Sequence, residues 1–303
     1  MKKRVLVVGA ANLDRMVYVD QLPAVGATIM GQRYEEHPGG KGSNQAVAAS
    51  LWGAQTQFVG CLGEDEAGTI LQKAMLNAGV NLDLLKTHPV GSGLAPDFVD
   101  QSGHYQAVVI SRANEYVTSD FLKPDPAFWK EIGLVVQQLE IPFETVDAVG
   151  RMALDFDVPV LLNAAPAADI PRSWWKWINM LVVNEVESAA LTGLQVQNTQ
   201  DAEIVAQQLH KHCPNVLITL GERGVLMINS EGVDHLQAYH VPVISTLGAG
   251  DAFVGVFAAE WVRHQDLRQA AEQANRAAAA SVQRSGAQVS YVRPEEFKNW
   301  GLA

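Results

Sequence analysis

Short apolar runs separated by helical patterns set the fold class of this chain. Val5-Leu6-Val7-Val8-Gly9, Gln57-Phe58-Val59-Gly60-Cys61-Leu62, Leu134-Val135-Val136-Gln137, Val158 to Leu162, Met180 to Val183 and Val216 to Leu220 have the pattern of buried strands. Between them lie helical stretches at Ala67 to Ala78, Phe143 to Phe156, Val186 to Thr192 and Ala202 to His212. This alternation predicts an α/β fold: a mostly parallel sheet covered by helices on both faces, with ligand groups at the carboxyl ends of its strands. With 303 residues, 48% of them hydrophobic and 18% charged, the chain can bury such a core.

Two stretches interrupt the series. Met16 to His37 holds the alternating runs Met16-Val17-Tyr18-Val19 and Thr28-Ile29-Met30, and Leu94 to Val99 is joined to Tyr105 to Ile110 by Asp100-Gln101-Ser102-Gly103-His104. Together they predict a small β-lid formed by about 14–37 and 93–112. No linker or internal repeat divides the chain, so 1–303 is expected to be one domain.

The chemistry centres on Ser245-Thr246-Leu247-Gly248-Ala249-Gly250-Asp251-Ala252-Phe253, where a strand-like run, Tyr239 to Ile244, gives way to a helix-like run, Ala252 to Val262. A Gly-Ala-Gly turn before a helix leaves the first amides unpaired and forms an anion site. Asp251 is then either the helix N-cap or the base that takes a proton from an attacking hydroxyl during phosphoryl transfer. The two glycines favour the second role by letting a bulky anion approach the backbone.

Other polar residues stand at predicted strand ends. Asn12 and Asp14 follow the first strand, which lacks the glycine spacing of a dinucleotide fingerprint; they are ligand groups or an Asx-turn loop. Pro38-Gly39-Gly40-Lys41-Gly42-Ser43-Asn44-Gln45-Ala46 is not a phosphate-binding Walker loop, and suits close backbone approach to a polyhydroxylated ligand. Glu140 precedes Pro142 at another strand end. Asn184 and Glu187, three apart at a helix start, suit either a hydrated Mg²⁺ or a capping box. Thr219-Leu220-Gly221-Glu222-Arg223-Gly224 admits phosphate or ribose, or is a hairpin turn. The alanine-rich run Ala270 to Val282 predicts a helix beside the Asp251 helix, packed either closely enough to leave a flat slot next to the pair or simply tightly, as small residues allow.

The formal charge of -11 argues against nucleic acid or an anionic membrane as partner, and leaves an anionic substrate to local donors. The two cysteines, Cys61 and Cys213, lie in apolar stretches and are expected to be buried, reduced thiols of a cytoplasmic protein. Met1-Lys2-Lys3-Arg4 resembles a signal-peptide start, but the apolar run after it is short and has no cleavage pattern. No run approaches a membrane span. The histidines form no zinc pattern, and His210 and His212 are expected on different sides of one helix.

In order along the chain, Gly39-Gly40-Lys41-Gly42-Ser43-Asn44-Gln45-Ala46, Leu162-Asn163-Ala164-Ala165-Pro166-Ala167, Asn184-Glu185-Val186-Glu187 and Gly248-Ala249-Gly250-Asp251 resemble the motifs of the ribokinase family of carbohydrate kinases, within the group that includes fructokinases and adenosine kinases. The resemblance runs from Val5 to about Ser290. It implies an ATP-dependent sugar kinase that phosphorylates the 5-hydroxyl of D-ribose. By matching position it implies that Asn12, Asp14, Gly40, Lys41, Gly42, Asn44 and Glu140 hold the sugar. Asn184, Thr219, Gly221, Gly224 and Asn275 would meet the nucleotide, with Gly250 at its phosphates. Glu187, beside Asn184, would organise Mg²⁺ through water. Gly248, Ala249 and Gly250 would form the anion hole and Asp251 the base. The lid implies a homodimer. Alternatives are another acceptor, such as 2-deoxyribose, a ketohexose or adenosine, and a non-catalytic protein that binds sugar or nucleotide.

Two departures from the family pattern stand out. Ser245 occupies the position where many ribokinases carry an aspartate of an activating monovalent-cation site, while Leu247, Ser281, Arg284, Gly286 and Ser290 match the rest of that site. Weak or absent potassium activation is the expectation. Ala95-Pro96-Asp97-Phe98 puts a proline and a carboxylate in a lid strand that is usually apolar, which bears on the choice of sugar.

Overall fold

A computed structural model describes residues 4–101, 105–123 and 125–299. The expected lid turn at 102–104 and the start Met1-Lys2-Lys3 lie outside the described residues. The first half comprises β1 Arg4–Val8, β2 Asn12–Tyr18, β3 Arg33–Gly39, α1 Lys41–Leu51, β4 Gln55–Val59, β5 Cys61–Gly63, α2 Glu66–Asn77, β6 Lys86–His88, β7 Gly93–Val99, β8 Tyr105–Ala107, α3 Pro126–Glu131, β9 Ile132–Gln137 and α4 Phe143–Asp155. The second half comprises β10 Val160–Asn163, β11 Met180–Asn184, α5 Glu185–Thr192, α6 Thr199–His210, β12 Asn215–Thr219, β13 Val225–Asn229, β14 Gly232–Leu236, α7 Ala249–His264 and α8 Leu267–Ser281.

The side chains of β1 divide the core in two. Val5 and Val7 pack on one face with Ala46 and Ala49 of α1, Phe253 and Phe257 of α7, and Ala270 and Ala274 of α8. Leu6 and Val8 pack on the other face with Val146 and Val149 of α4, Val205 and Leu209 of α6, and Trp174. A stretch buried on both faces must be apolar throughout, which is why Val5 to Val8 of β1 show no polar alternation.

The large sheet is eight-stranded, in the order β14-β13-β12-β11-β10-β9-β1-β4. The pairs from β4 through β12 are parallel. The β12-β13-β14 edge is antiparallel. A separate four-stranded sheet, β3-β2-β7-β8, is the lid. Because β2 follows β1 after three residues and β3 runs directly into α1, the lid is tied to the large sheet where the parallel strands end.

Several expected elements differ. Thr28-Ile29-Met30 is not a strand; Met30 is 87% exposed, and β2 pairs instead with Arg33–Gly39. Tyr239 to Ile244 is irregular. Pro242 has no N–H to give a ladder, and the N–H groups of Ile244 and Ser245 donate to Val282 O at the end of α8. The run Gln57 to Leu62 splits at Gly60, whose carbonyl accepts from Lys86 N–H as the chain turns toward β6. The β13-β14 hairpin was not expected as strands. Helix α6 ends at His210, so His212 sits in the turn beyond it. Both cysteines are buried and free. No helix among the described residues is long and apolar enough to cross a membrane.

Candidate active site

The carboxyl ends of the parallel strands, the first turns of α1, α5 and α7, and the inner face of the lid enclose a cleft of about 1150 Å³. Asn12, Asp14, Gly40, Lys41, Asn44, Glu140, Asn184, Glu187, Thr219, Ser245, Leu247, Gly248, Gly250 and Asp251 all line it.

Asp251 is the third residue of α7, and the helix N-cap is Gly248, in the left-handed region at φ 76°, with no side-chain cap bond. The capping role considered for Asp251 is therefore ruled out. Asp251 is 8% exposed. Asn44 Nδ2 donates to Asp251 Oδ2 at 2.9 Å, and Gln45 Nε2 donates to Asp251 Oδ1 at 2.9 Å. Gln45 is itself fixed, donating to Asn163 Oδ1 at 2.9 Å and accepting from Gln138 Nε2 at 2.7 Å. Asn44 Oδ1 accepts from Gln288 Nε2 at 3.0 Å. Two neutral amides thus hold the carboxylate without an ion pair among the described residues.

The loop before α7 differs in one respect from an array of unpaired amides. Ala249 N–H donates back to Thr246 O at 3.2 Å, so its amide is engaged. Ala249 also does not line the cleft, whereas Gly248 and Gly250 do. A Cβ on Gly250 would meet nothing within 4 Å, which leaves its backbone open to a bulky group.

On the lid side, Glu140 Oε2 accepts from Lys41 N–H at 3.0 Å and from Asn12 Nδ2 at a long 3.5 Å. Asn114 Nδ2 donates to Asn12 Oδ1 at 2.7 Å. Gly40 has φ 88°, and a Cβ there would lie 2.5 Å from Asn12 N. Gly42 does not line the cleft; a Cβ on it would come within 2.7 Å of Gly9, so this glycine serves the packing of α1 against the end of β1.

On the opposite side, Asn184 and Glu187 form a complete capping box on α5. Glu187 Oε2 accepts from Asn184 N–H at 2.9 Å and Oε1 from Asn184 Nδ2 at 3.1 Å. The hairpin alternative for Thr219 to Gly224 is also present, because this stretch joins β12 to β13. A Cβ on Gly224 would lie 2.0 Å from Leu236 O, so Gly224 serves the hairpin. Asn275 Nδ2 donates to Gln237 O at 2.8 Å. Gly221, Gly224 and Asn275 do not line the cleft, and neither do Ser281, Arg284, Gly286 or Ser290. Ser281 Oγ donates to Ala278 O, Ser290 Oγ to Ala287 O, and Arg284 pairs with Glu296.

A carboxylate fixed by neutral donors beside an open glycine at a helix start, with further carboxylates and amides along the cleft, suits phosphoryl transfer to a polyhydroxylated acceptor. A family model described as pfkB family carbohydrate kinase matches residues 2–293. The chain belongs to this family. It is 32% identical over 298 residues to a ribokinase of Haemophilus influenzae, covering 98% of this chain and 97% of that one. It is 31% identical over 299 residues to a deoxyribokinase of Salmonella typhi, covering 98% of both. Its fold matches the structure of Arabidopsis thaliana ribokinase complexed with ribose and ATP at a TM-score of 0.89, with 28% identity over 99% of this chain and 98% of that one.

The kinase cleft is strongly acidic on its lid side. Burial, and then the nearby Asp97, Glu140 and Asp251, push the Asp14 carboxyl up to about 8 against the opposing pull of Lys41. Burial also raises Glu140 and Glu187, and Lys41 counters both shifts. Lys41 therefore acts on carboxylates at both ends of the cleft. From the sequence, Gln45 and Asn163 fall within the family motifs without a role of their own, and Asn114, Gln138 and Gln288 have none. Asn163 and Gln138 are polar residues at the ends of apolar strand runs, a signal that would have found them.

Proposed function

We propose that this kinase transfers the γ-phosphoryl group of ATP to the 5-hydroxyl of D-ribose, with Asp251 as general base. The observation that carries the reading is the placement of Asp251: buried, lining the cleft, and aimed by Asn44 and Gln45. A carboxylate so held accepts the hydroxyl proton as the oxygen attacks the γ-phosphorus, and the bond to the departing ADP oxygen breaks in line. Asn12, Asp14, Gly40, Lys41, Asn44 and Glu140 hold the sugar, their carboxylates and amides matching its several hydroxyl groups; Gly42 supports them by packing. Gly248 and Gly250 present backbone to the transferring group. Asn184 and Thr219 meet the nucleotide, while Gly224 and Asn275 hold the β12–β14 edge and the segment after it from outside the cleft.

The donor set fits a hydrated Mg²⁺ that arrives with the nucleotide phosphates. Both Glu187 oxygens already accept one hydrogen bond each, which leaves a second lone pair on each for a metal-bound water. No group of three or more His, Cys, Asp or Glu among the described residues would form an all-protein cage. When bound, Mg²⁺ neutralises charge developing on the phosphates.

The relative named deoxyribokinase favours 2-deoxyribose as a second reading of the acceptor. Exposed Tyr34, Phe98 and Ile110 on the lid's outer face support pairing with a second copy in a homodimer. We place the enzyme in the cytoplasm, consistent with its buried, unpaired thiols. Production of ADP from Mg·ATP with D-ribose, 2-deoxyribose, fructose and adenosine tests the function. Fast turnover on ribose supports it; turnover confined to another acceptor moves the assignment to that acceptor, and turnover on none rejects the kinase reading.

A further inference from the structure

The inner face of the lid carries one carboxylate that the proposed reaction does not use. Along β2, Asn12, Asp14, Met16 and Tyr18 line the cleft, and along β7, Ala95, Asp97 and Val99 do. This is the period-two alternation of strands that show one face to the cleft. The two strands are parallel, with Ala95 opposite Asp14 and Asp97 opposite Met16, so Asp97 stands two residues further out on the lid than Asp14. Asp97 is 4% exposed, and its Oδ1 is a buried oxygen with no hydrogen-bond partner among the described residues.

A buried carboxylate oxygen without a donor is costly, and a donor on a molecule bound in the cleft would satisfy it. Burial pushes the Asp97 carboxyl up to about 6, so at neutral pH it is mainly ionised and accepts hydrogen bonds without donating. Asp14 and Asp97 sit on neighbouring strands, one alternation apart, and both line the cleft, so one acceptor can span them.

We propose that Asp97 is a specificity-determining residue: it accepts a hydrogen bond from a hydroxyl or amino group at the end of the acceptor that lies under the lid, away from the hydroxyl that is phosphorylated. The inference rests on the reading of the cleft as a sugar kinase site. It makes the enzyme selective for acceptors that carry a donor there, and a site built to accept such a bond rejects analogues that lack the donor.

The test is a substrate-against-residue cycle, measured as kcat/KM for the wild type, Asp97→Val and Asp97→Asn. The acceptor pairs differ by one donor: D-ribose with 1,4-anhydro-D-ribitol, 2-deoxy-D-ribose and 3-deoxy-D-ribose, and adenosine with purine riboside. In the wild type, removing the donor that meets Asp97 lowers kcat/KM by roughly 10- to 100-fold. In Asp97→Val that particular loss disappears while the losses at other positions persist; Asp97→Asn, which keeps an acceptor oxygen, retains part of it. Equal losses in the wild type and Asp97→Val for every pair overturn the inference and leave the kinase reading intact. If the wild type phosphorylates no acceptor in the panel, the kinase reading falls and the inference with it. Thermal melting of both variants shows whether they are folded, and a folded Asp97→Asn suffices for the comparison if Asp97→Val is not.

Discussion

Gln45 Nε2 and Asp251 Oδ1 lie 2.9 Å apart although 206 residues separate them in the chain. The bond joins α1, which follows the first two lid strands, to the helix that carries the proposed base. It fixes the carboxylate's rotation with a neutral donor, where a cation would have opposed proton uptake. Gln45→Leu is expected to lower kcat by about 10-fold with KM little changed, because a mis-set base hurts the transition state more than the bound sugar. It also strands Asn163 and Gln138, so unfolding free energy should fall by about 1–3 kcal/mol. Steady-state kinetics and chemical denaturation check both effects; an unchanged kcat would show that Gln45 does not aim the base.

Asp14 makes stability depend on pH. Its carboxyl is raised from the usual 3.8 to about 8, chiefly by burial, so the folded chain holds that proton more tightly than the unfolded one. The contribution is fully present below the unfolded value and is lost as pH rises toward the folded one. Asp14→Asn, which does not titrate, should be more stable than the wild type at pH 8, by a few kcal/mol at most, and the difference should vanish near pH 4. Melting curves across this range check the sign; parallel profiles would contradict it.

Glu187→Gln should separate the cap from the metal role. Gln serves the third position of a capping box as well as Glu, so α5 and overall stability should hold. The Mg²⁺ concentration for half-maximal turnover should rise by roughly 10-fold or more, as for residues that orient a metal's water shell. Magnesium titration of turnover decides this, and an unchanged requirement would reduce Glu187 to a helix cap.

Potassium is expected to change turnover little, because Ser245 brings no fixed negative charge to the loop. Its Oγ accepts from Leu247 N–H at 3.2 Å, and its N–H bonds the end of α8. Ser245→Asp supplies the charge and should make turnover rise when potassium replaces tetramethylammonium. Strong activation of the wild type by potassium would show that carbonyls and hydroxyls suffice there.

The parallel sheet was legible because strands buried on both faces must be continuous apolar runs, and β1 and β9 are such runs. Asn12 just beyond β1, Glu140 just beyond β9 and Asn184 at the end of β11 accordingly line the cleft. Tyr239 to Ile244 shows the limit of local pattern: its apolar residues fit a strand, but Pro242 and the competing carbonyl of Val282 leave it without a ladder. Glycines misled in a similar way. Gly42 and Gly224 looked like openings for a ligand, yet each admits another stretch of this chain, a distinction that needs the tertiary structure. The bonds of Asp251 were illegible for the same reason, since no local spacing reports a contact between residues 45 and 251.

The role of Asp251 as base is tested by turnover of Mg·ATP and D-ribose by the wild type and Asp251→Asn, measured as ADP formed with stoichiometric sugar phosphate. Asparagine keeps the shape of the side chain and removes its capacity to take a proton. Ribose-dependent turnover by the wild type is expected, with a loss of about 10²–10⁴ in kcat for the variant and substrate binding largely retained. Near-normal turnover by Asp251→Asn would contradict the central claim.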